Sequence, residues 1–308
     1  MLLIWNPVSS GVDAESVGVV SVRAAEDVDL TTRHTLAEGD AKRISAEAPD
    51  AGYDAVFVLG GDGTANEVVN GLGDRLPIGV LPAGGTSVLP RALGLSEDVA
   101  ECTAELCQAL LAGRVRDATL GTLNGRRFAF AAGIGLDAEI VRRVDERGRG
   151  GDGIDAKRPG DLWFVTEAVA LLLNGEYAES RMLIESGGES FRAMTAFVAN
   201  TDPWSFAGPL PLRVAPEAEF EGGLSLVAIV KPIEARSSLG RVRALLHRGG
   251  GESDSVRRLT NLEHARIVCD EPTPAQVDGE LLDDVTEIEL GVAKPGARFL
   301  VPPAEDGE

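Results

Sequence analysis

A single carboxylate, Asp62, stands between glycines in the run GGDGT, directly after the apolar segment DAVFVLGG. Gly60, Gly61 and Gly63 have no Cβ, so backbone N–H groups there can approach an anion closely. Thr64 is a candidate N-cap for a helix whose positive end would point to the same place. An Asp in that setting can hold Mg²⁺ or polarise a hydroxyl. For this run alone, a tight turn with a solvated Asp is the competing interpretation.

A second glycine-rich loop follows the next apolar segment, in the stretch LPAGGTSVLPR. Gly84, Gly85 and Thr86 could hold another part of the same anion, because ligands of an open parallel sheet bind beyond the carboxyl ends of its strands. Neither loop has the G-x-x-x-x-G-K-[ST] or G-x-G-x-x-G pattern, and neither has a lysine nearby. Phosphate charge would therefore be met by backbone N–H groups, Mg²⁺ or arginine.

Two other short stretches carry polar side chains that fit the same chemistry. NPVSSG places Asn6 at the end of the first apolar segment, where its amide could contact a base, a ribose or a phosphate. In VDGE, Asp278 and Glu280 would share one face of a regular strand, and a carboxylate there could accept a proton. An ordinary turn competes with each interpretation, and for VDGE that turn would be a hairpin at Asp-Gly.

The elements that must position these residues alternate between strands and helices in the first part of the chain. Residues 1–5, DAVFVLGG and LPIGVLPAGG are predicted strands, and the last two read as buried on both faces. TANEVVNGLG, SVLPRALGLS and DVAECTAELCQALLAG are predicted helices, HTLAEGDAKRISAEAP is helical in pattern, and SVGVVSVRAAED fits either type. This alternation predicts a doubly wound α/β domain with a parallel sheet.

The pattern changes near residue 120, where strand-like segments replace the alternation. A turn at Asn124-Gly125, paired strands around Gly187-Gly188 and later segments such as AQVDGELL predict mainly antiparallel β-structure. We therefore expect a first domain over residues 1–120 and a β-rich domain over residues 121–292. The charged, glycine-rich stretch RRVDERGRGGDGIDAKRPGD is expected to be exposed and mobile.

Composition excludes some classes of function. The 308 residues are 44% hydrophobic and carry a formal net charge of −20, which argues against nucleic-acid binding. No apolar run approaches the roughly 18 residues of a membrane span, and the N-terminus reads as a strand rather than a signal peptide. Cys102, Cys107 and Cys269 lack metal or disulfide spacing, so we expect small buried side chains in a reducing cytoplasm.

Taken in order, these stretches resemble the catalytic domain of the diacylglycerol kinase family, which includes bacterial lipid kinases and sphingosine kinases. The resemblance spans nearly the whole chain. It implies an N-terminal nucleotide-binding domain of the type shared with NAD kinases and phosphofructokinases, a β-rich lipid-substrate domain, and a chain end, residues 293–308, that returns to the first domain. The matching segments are NPVSSG, GGDGTANEVVNGL, LPAGGTSVLPRALGL, GIGLDAEIV and VDGE.

The resemblance implies an ATP- and Mg²⁺-dependent lipid kinase that phosphorylates the hydroxyl of diacylglycerol or a similar lipid. Asp62 would lie at the nucleotide–Mg²⁺ site, and Glu280 would be the general base for the acceptor hydroxyl. The residues implied to line the nucleotide site are Asn6, Thr35, Gly60, Gly61, Asp62, Gly63, Thr64, Asn66, Glu67, Gly84, Gly85 and Thr86.

It also implies a cytoplasmic protein in peripheral contact with the inner membrane surface. Such contact is unusual for so acidic a chain, and clusters of basic residues could form a docking face or simply be solvated. An edge strand could pair two copies into a homodimer, although no residue demands it. The basic clusters comprise Arg142, Arg143, Arg147, Arg149, Lys157, Arg158 and the arginines between Arg236 and Arg258.

Three positions depart from the family pattern. Ser87 stands where much of the family has Asn, Pro90 where a small helix former is usual, and FEGGLSL replaces D-G-x-L-D, leaving Glu221 as a candidate cation ligand. They motivate one alternative, a nucleotide- or lipid-binding regulator that has lost catalysis. NAD kinase is another, because it shares GGDGT, although TANEVVNGL continues as it does in lipid kinases.

Overall fold

A computed structural model describes residues 1–149, 179–207, 209–232 and 254–303. The chain divides into two compact units. Unit 1 comprises Met1–Thr119 and the chain end from Lys294, and unit 2 comprises Leu120–Ala293. The stretch expected to be exposed and mobile, residues 142–161, is helical over residues 142–149, which belong to the helix Leu136–Arg149, and its remainder lies outside the described residues.

Unit 1 is an α/β domain with a parallel sheet, as predicted. Its strands run in the order β2-β1-β3-β4, and Phe299 of β18 (Val285–Leu300) pairs in parallel with Ile78 of β4. Helix α1 packs against α5, and α2 packs against α3. The elements are β1 (Leu2–Trp5), α1 (Ala14–Ala24), β2 (Thr31–His34), α2 (Asp40–Glu47), β3 (Val56–Gly60), α3 (Asp62–Leu72), β4 (Ile78–Pro82), α4 (Val88–Ala92) and α5 (Val99–Ala112).

Local sequence explains most of these elements. Every residue of β3 is buried, as the unbroken apolar run predicted. The ambiguous segment after residue 15 is helical, because Asp13 and Ser16 form a reciprocal capping box at the start of α1. Helix α3 ends at Leu72, followed by Gly73 at φ +61°, in a region that glycine enters readily.

Two predictions for unit 1 are wrong. The segment from His34 to Pro49 is not one helix: β2 ends at His34, and α2 begins only at Asp40, after Gly39 in the left-handed region. Thr64 is not an N-cap, because α3 begins at Asp62 with Gly61 as its N-cap. Thr64 instead lies in the first turn of α3, where it is buried.

Unit 2 is β-rich and antiparallel. One sheet has the order β14-β13-β10-β7-β16-β17, and β18, β15, β8 and β9 are neighbours in another. The remaining elements, of which β5 and β18 each contain residues of both units, are β5 (Val115–Leu123), β6 (Arg126–Phe128), β7 (Ala131–Ile134), α6 (Leu136–Arg149), β8 (Met182–Ser186), β9 (Glu189–Ala193), β10 (Thr195–Ala199), β11 (Ser205–Ala207), β12 (Leu210–Leu212), β13 (Leu224–Ile229), β14 (Val256–Leu262), β15 (His264–Thr273), β16 (Ala275–Val277), β17 (Glu280–Leu281) and β18 (Val285–Leu300).

The apolar residues of unit 2 form clusters on its sheets. Side chains such as Phe128, Ile184, Leu226 and Ile288 form the main core, whereas Leu136 of α6 belongs to a second cluster. The predicted hairpins are present: Asn124-Gly125 joins β5 to β6, and Gly187-Gly188 joins β8 to β9.

Two expectations from composition concern the state of the cysteines and the presence of membrane-spanning helices. Cys102, Cys107 and Cys269 are buried and unbridged, as predicted, and burial raises the pKa of each thiol. A protonated thiol is a poor nucleophile and metal ligand, so these side chains act as small apolar groups. Within the described ranges, no helix is both long enough and apolar enough to cross a membrane.

Candidate active site

Three loops at the carboxyl ends of β1, β3 and β4 meet in unit 1. Gly61 N–H donates to Ser9 Oγ at 3.2 Å, and Asn6 Nδ2 donates to Thr64 Oγ1 at 3.0 Å. A Cβ added at Gly11 would lie 2.8 Å from the carbonyl oxygen of Ala83, so the first loop also touches the third. The sequence placed these loops at one sheet edge, and the structure shows them in contact.

Asp62 joins the GGDGT loop to the second glycine loop. Its carboxylate accepts hydrogen bonds from Val88 N–H and Leu89 N–H, each at 3.2 Å. The two loops are also packed closely, because a Cβ on Gly84 would lie 3.0 Å from Gly61 Cα. The half-buried Asp62 therefore fixes the second loop. The resemblance implies that the same carboxylate also binds the metal.

The start of α3 fits an anion. Gly61, the N-cap of this helix, has no side chain to cap it, and N–H groups at a helix start attract phosphate. A Cβ added at Gly61 or Gly85 would meet no atom within 4 Å, so the chain has room for a larger residue at either position. Space for a close ligand is therefore present beside both residues.

The unusual residues of the second loop have local explanations. Ser87 adopts the left-handed region at φ 47° and ψ 52°, which Asn tolerates better than most residues, so an Asn fits there. Ser87 Oγ accepts from Gly84 N–H at 3.1 Å and is 3.2 Å from the Gly84 carbonyl, to which it donates. Pro90 lies in the first turn of α4, where a missing N–H costs no helical hydrogen bond.

The residues that the resemblance implies for the nucleotide site are held by different contacts. Glu67 accepts from the N–H groups of Gly39 at 2.9 Å and Ala41 at 3.0 Å, so its carboxylate caps the start of α2. Asn66 is buried, and its Oδ1 accepts from Asn70 at 3.0 Å. Thr35 is buried directly after β2. Contact of these side chains with a nucleotide stays a prediction.

Glu280 lies in unit 2, after a tight turn. Asp278 and Gly279 have φ values of 48° and 80°, and Val277 pairs with Glu280, which makes this a two-residue type I′ hairpin. The prediction that Asp278 and Glu280 share a strand face is therefore wrong. The Glu280 side chain is 32% exposed and forms an ion pair with Arg126, a partner that sequence spacing did not indicate.

Asp278 is a structural residue of this turn. Its carboxylate is 2.7 Å from Ala129 N–H and also accepts from Phe130 and Ala131 N–H at 3.0 and 3.1 Å. The residue is 2% exposed. Its oxygens therefore hold the segment between β6 and β7, and Glu280 is the more accessible carboxylate of VDGE.

The described residues also bear on metal binding. They contain no group of three or more His, Cys, Asp or Glu side chains that could hold a metal ion. Mg²⁺ is usually bound by one or two carboxylates together with substrate phosphates, so Asp62 beside a nucleotide fits Mg²⁺ without such a group. Glu221 is exposed, and a cation there stays a prediction.

Where the structure describes them, most arginines of the basic clusters form ion pairs with glutamate side chains. Arg142 and Arg143 form ion pairs with Glu139. Arg257 pairs with Glu189 and Arg258 with Glu217. The side chains of Arg147 and Arg149, and the residues Lys157, Arg158 and Arg236, lie outside what the structure describes.

The chain resembles bacterial lipid kinases along most of its length. It is 27% identical to "Diacylglycerol kinase" from Bacillus subtilis, over 82% of this chain and 79% of that one. It is 24% identical to a "Putative lipid kinase" from Streptococcus pneumoniae, over 99% of each chain.

Solved structures share the fold. A putative diacylglycerol kinase from Bacillus anthracis superposes with a TM-score of 0.74 at 20% identity, over 98% of this chain and 97% of that one. An NAD kinase from Archaeoglobus fulgidus, solved in complex with ATP, has a TM-score of 0.54 at 12% identity, over 98% of this chain and 94% of that one.

The family model described as the diacylglycerol kinase catalytic domain matches residues 1–123. This range contains all three loops that meet beyond β1, β3 and β4. Over these residues the chain is similar to the diacylglycerol kinase catalytic domain.

Proposed function

We propose that the protein is an ATP- and Mg²⁺-dependent lipid kinase that transfers the γ-phosphate to the hydroxyl of diacylglycerol or a similar lipid. The observation that carries this proposal is the convergence of three loops on the start of α3, with Asp62 between them. Phosphoryl transfer depends mainly on positioning and on neutralising charge, which such a cluster can supply.

In this proposal unit 1 binds the nucleotide. The N–H groups at the start of α3 and in the second loop would contact phosphate oxygens, and Asp62 would hold Mg²⁺ against them. Bound Mg²⁺ neutralises charge on the phosphates. Because Asp62 also accepts from Val88 and Leu89, its position is set before any nucleotide binds.

The proposed base is Glu280, which would accept the proton of the lipid hydroxyl. Arg126 holds its carboxylate in one orientation through the ion pair, and a fixed orientation favours in-line attack on the phosphate. Asp278 is buried against backbone N–H groups and is not a candidate for this role.

A mixed-micelle assay tests the proposal. The purified protein is incubated with Mg²⁺, ATP labelled in the γ-phosphate, and micelles that contain diacylglycerol or another single-hydroxyl lipid. We expect label in the lipid fraction and its loss when EDTA removes Mg²⁺. Labelled NADP in a parallel reaction with NAD would support NAD kinase activity instead, and nucleotide binding without any transfer would support the regulator.

Peripheral membrane contact belongs to the same proposal, because the acceptor lipid resides in a bilayer. The test is sedimentation with vesicles of neutral lipid and with vesicles that also contain anionic lipid. We expect binding that needs diacylglycerol more than it needs anionic lipid, since the net charge is −20. Protein that stays in the supernatant with every vesicle would contradict this part.

A further inference from the structure

A buried carboxylate lies behind the turn that carries Glu280. Asp137, in the first turn of α6, is 4% exposed. A Cβ on Gly133 would lie 1.8 Å from Asp137 Oδ2, so the carboxylate packs directly on the backbone of β7. Leaving a carboxylate in such a place is costly unless it is hydrogen-bonded.

The partner of Asp137 is Gln276 of β16, whose Nε2 donates to Asp137 Oδ2. The other end of the same amide, Gln276 Oε1, accepts from Gly279 N–H at 2.8 Å. A backbone N–H can only donate, so this contact fixes the amide orientation and directs Nε2 to the carboxylate. Asp137, Gln276 and Gly279 therefore form one hydrogen-bonded chain inside unit 2.

We propose that Asp137 is a positioning residue, which sets the direction of Glu280 by fixing Gln276 against the N–H of Gly279. Gly279 directly precedes Glu280 in the hairpin, so a rotation of its peptide would swing the base. Asp278 holds the turn on one side through Ala129 N–H, and Gln276 holds it on the other.

The type of residue at each position supports this role. Gln276 is 3% exposed, so an unpaired amide nitrogen there would be costly, and Asp137 supplies the acceptor. When Asp137 is ionised, its charge strengthens this hydrogen bond. Burial raises the pKa of Asp137 to about 7, which shows the cost of placing a carboxylate at this point.

Only the expected effect on catalysis rests on the proposed function; the hydrogen-bonded chain itself does not. Its test uses the full chain and three variants: Asp137→Ala, Gln276→Glu, and the exchanged pair Asp137→Asn with Gln276→Glu. Asp137→Ala removes the acceptor, and Gln276→Glu sets two carboxylates against each other. The exchanged pair restores one donor and one acceptor with reversed polarity, while the carboxylate introduced at position 276 still accepts from Gly279 N–H.

We expect each single variant to lower the kcat of lipid phosphorylation by about 10²-fold, the scale of a misplaced catalytic group, with the KM for ATP unchanged. The exchanged pair should recover most of the lost kcat. Ile184→Ala is the control, because Ile184 is fully buried in the core of unit 2 and outside the hydrogen-bonded chain. It should lower the melting temperature without lowering kcat at temperatures where it is folded.

Two outcomes would overturn the role: single variants that keep the parent kcat, or an exchanged pair that folds but stays as slow as the single variants. Hydrogen exchange of the Gly279 amide, measured by NMR, distinguishes failure of the positioning role from failure of the proposed function. Exchange should be faster in Asp137→Ala and slow again in the exchanged pair, even if the parent phosphorylates no lipid. Unchanged Gly279 exchange in Asp137→Ala would refute the hydrogen-bonded chain itself.

Discussion

At the scale of single residues, the two carboxylates proposed for phosphoryl transfer are held by different means. Asp62 accepts from backbone N–H groups of the second loop, whereas Glu280 pairs with the side chain of Arg126. A change at Asp62 therefore disturbs a loop as well as a charge. Asp62→Asn, which keeps an acceptor oxygen, separates the two effects better than Asp62→Ala.

Ser87 gives a prediction at this scale. Ser87→Ala removes the hydroxyl that bridges the second loop and leaves a non-glycine residue in the left-handed region. We expect it to lower the free energy of unfolding by about 1 kcal/mol, the usual net value of one hydrogen bond. Ser87→Asn should cost less, because Asn tolerates this conformation. Urea unfolding compares the two, and equal losses would contradict the explanation.

At the scale of elements, the glycines of the two loops have different tasks. A Cβ on Gly84 would press against Gly61 Cα, whereas a Cβ on Gly61 or Gly85 would meet nothing within 4 Å. We expect Gly84→Ala to lower the melting temperature, and Gly61→Ala or Gly85→Ala to leave it nearly unchanged.

The same glycine variants test the nucleotide site. Gly61→Ala and Gly85→Ala should weaken binding of Mg²⁺-ATP, measured by calorimetry, because a methyl group would occupy space proposed for phosphate. Gly52→Ala offers a control glycine away from the loops, although its φ of +81° will cost some stability. Normal ATP binding by both loop variants would place the nucleotide elsewhere.

Glu67 gives a second prediction at the element scale. Its carboxylate caps α2 from α3, through Gly39 and Ala41 N–H. Glu67→Ala leaves these donors without their acceptor, and we expect a loss of about 1.5–3 kcal/mol in the free energy of unfolding. Glu67→Gln keeps one acceptor oxygen and should cost less. Urea unfolding measures both, and a neutral Glu67→Ala would show that the cap contributes nothing.

The sequence predicted the elements whose signals are local. Buried strands such as β3, the glycine after α3 and the Asn124-Gly125 hairpin all follow from short-range patterns. Strand β2 was missed because it is short and exposed, without the apolar alternation that marks a strand.

The candidate site was predictable in its glycine loops and less so in its supporting contacts. Arg126 meets Glu280, and Asp137 meets Gln276, across separations of more than a hundred residues that no local period encodes. The hairpin at Asp278 was predicted only as one of two interpretations, because Asp-Gly fits both a strand and a type I′ turn until its partner strand is known.

At the scale of the whole molecule, a buried carboxylate makes stability depend on pH. The pKa of Asp137 is raised by burial from 3.8 to about 7. Between these values the folded chain keeps a proton that the unfolded chain has lost. The free energy of unfolding should therefore fall as pH rises from about 4 to about 7, by at most ~1.4 kcal/mol per pH unit from this group, and then level off.

Asp137→Asn tests this dependence, because Asn does not titrate. Urea unfolding of the parent and the variant is compared at pH 5 and pH 8. We expect the variant to gain stability relative to the parent at the higher pH, whatever the absolute cost of the substitution. A difference between parent and variant that is the same at both pH values would show that Asp137 is already ionised at pH 5.

The most direct test of the central claim compares nucleotide binding with phosphate transfer in Glu280→Gln and Asp62→Asn. We expect Glu280→Gln to bind Mg²⁺-ATP as the parent does and to lose about 10²–10⁴-fold in transfer to diacylglycerol, the usual contribution of a general base. Asp62→Asn should lose both metal-dependent binding and transfer, with a smaller drop in melting temperature than Asp62→Ala because one acceptor oxygen remains. Parent-like transfer by either variant would contradict a site with Asp62 at the nucleotide and Glu280 at the acceptor hydroxyl.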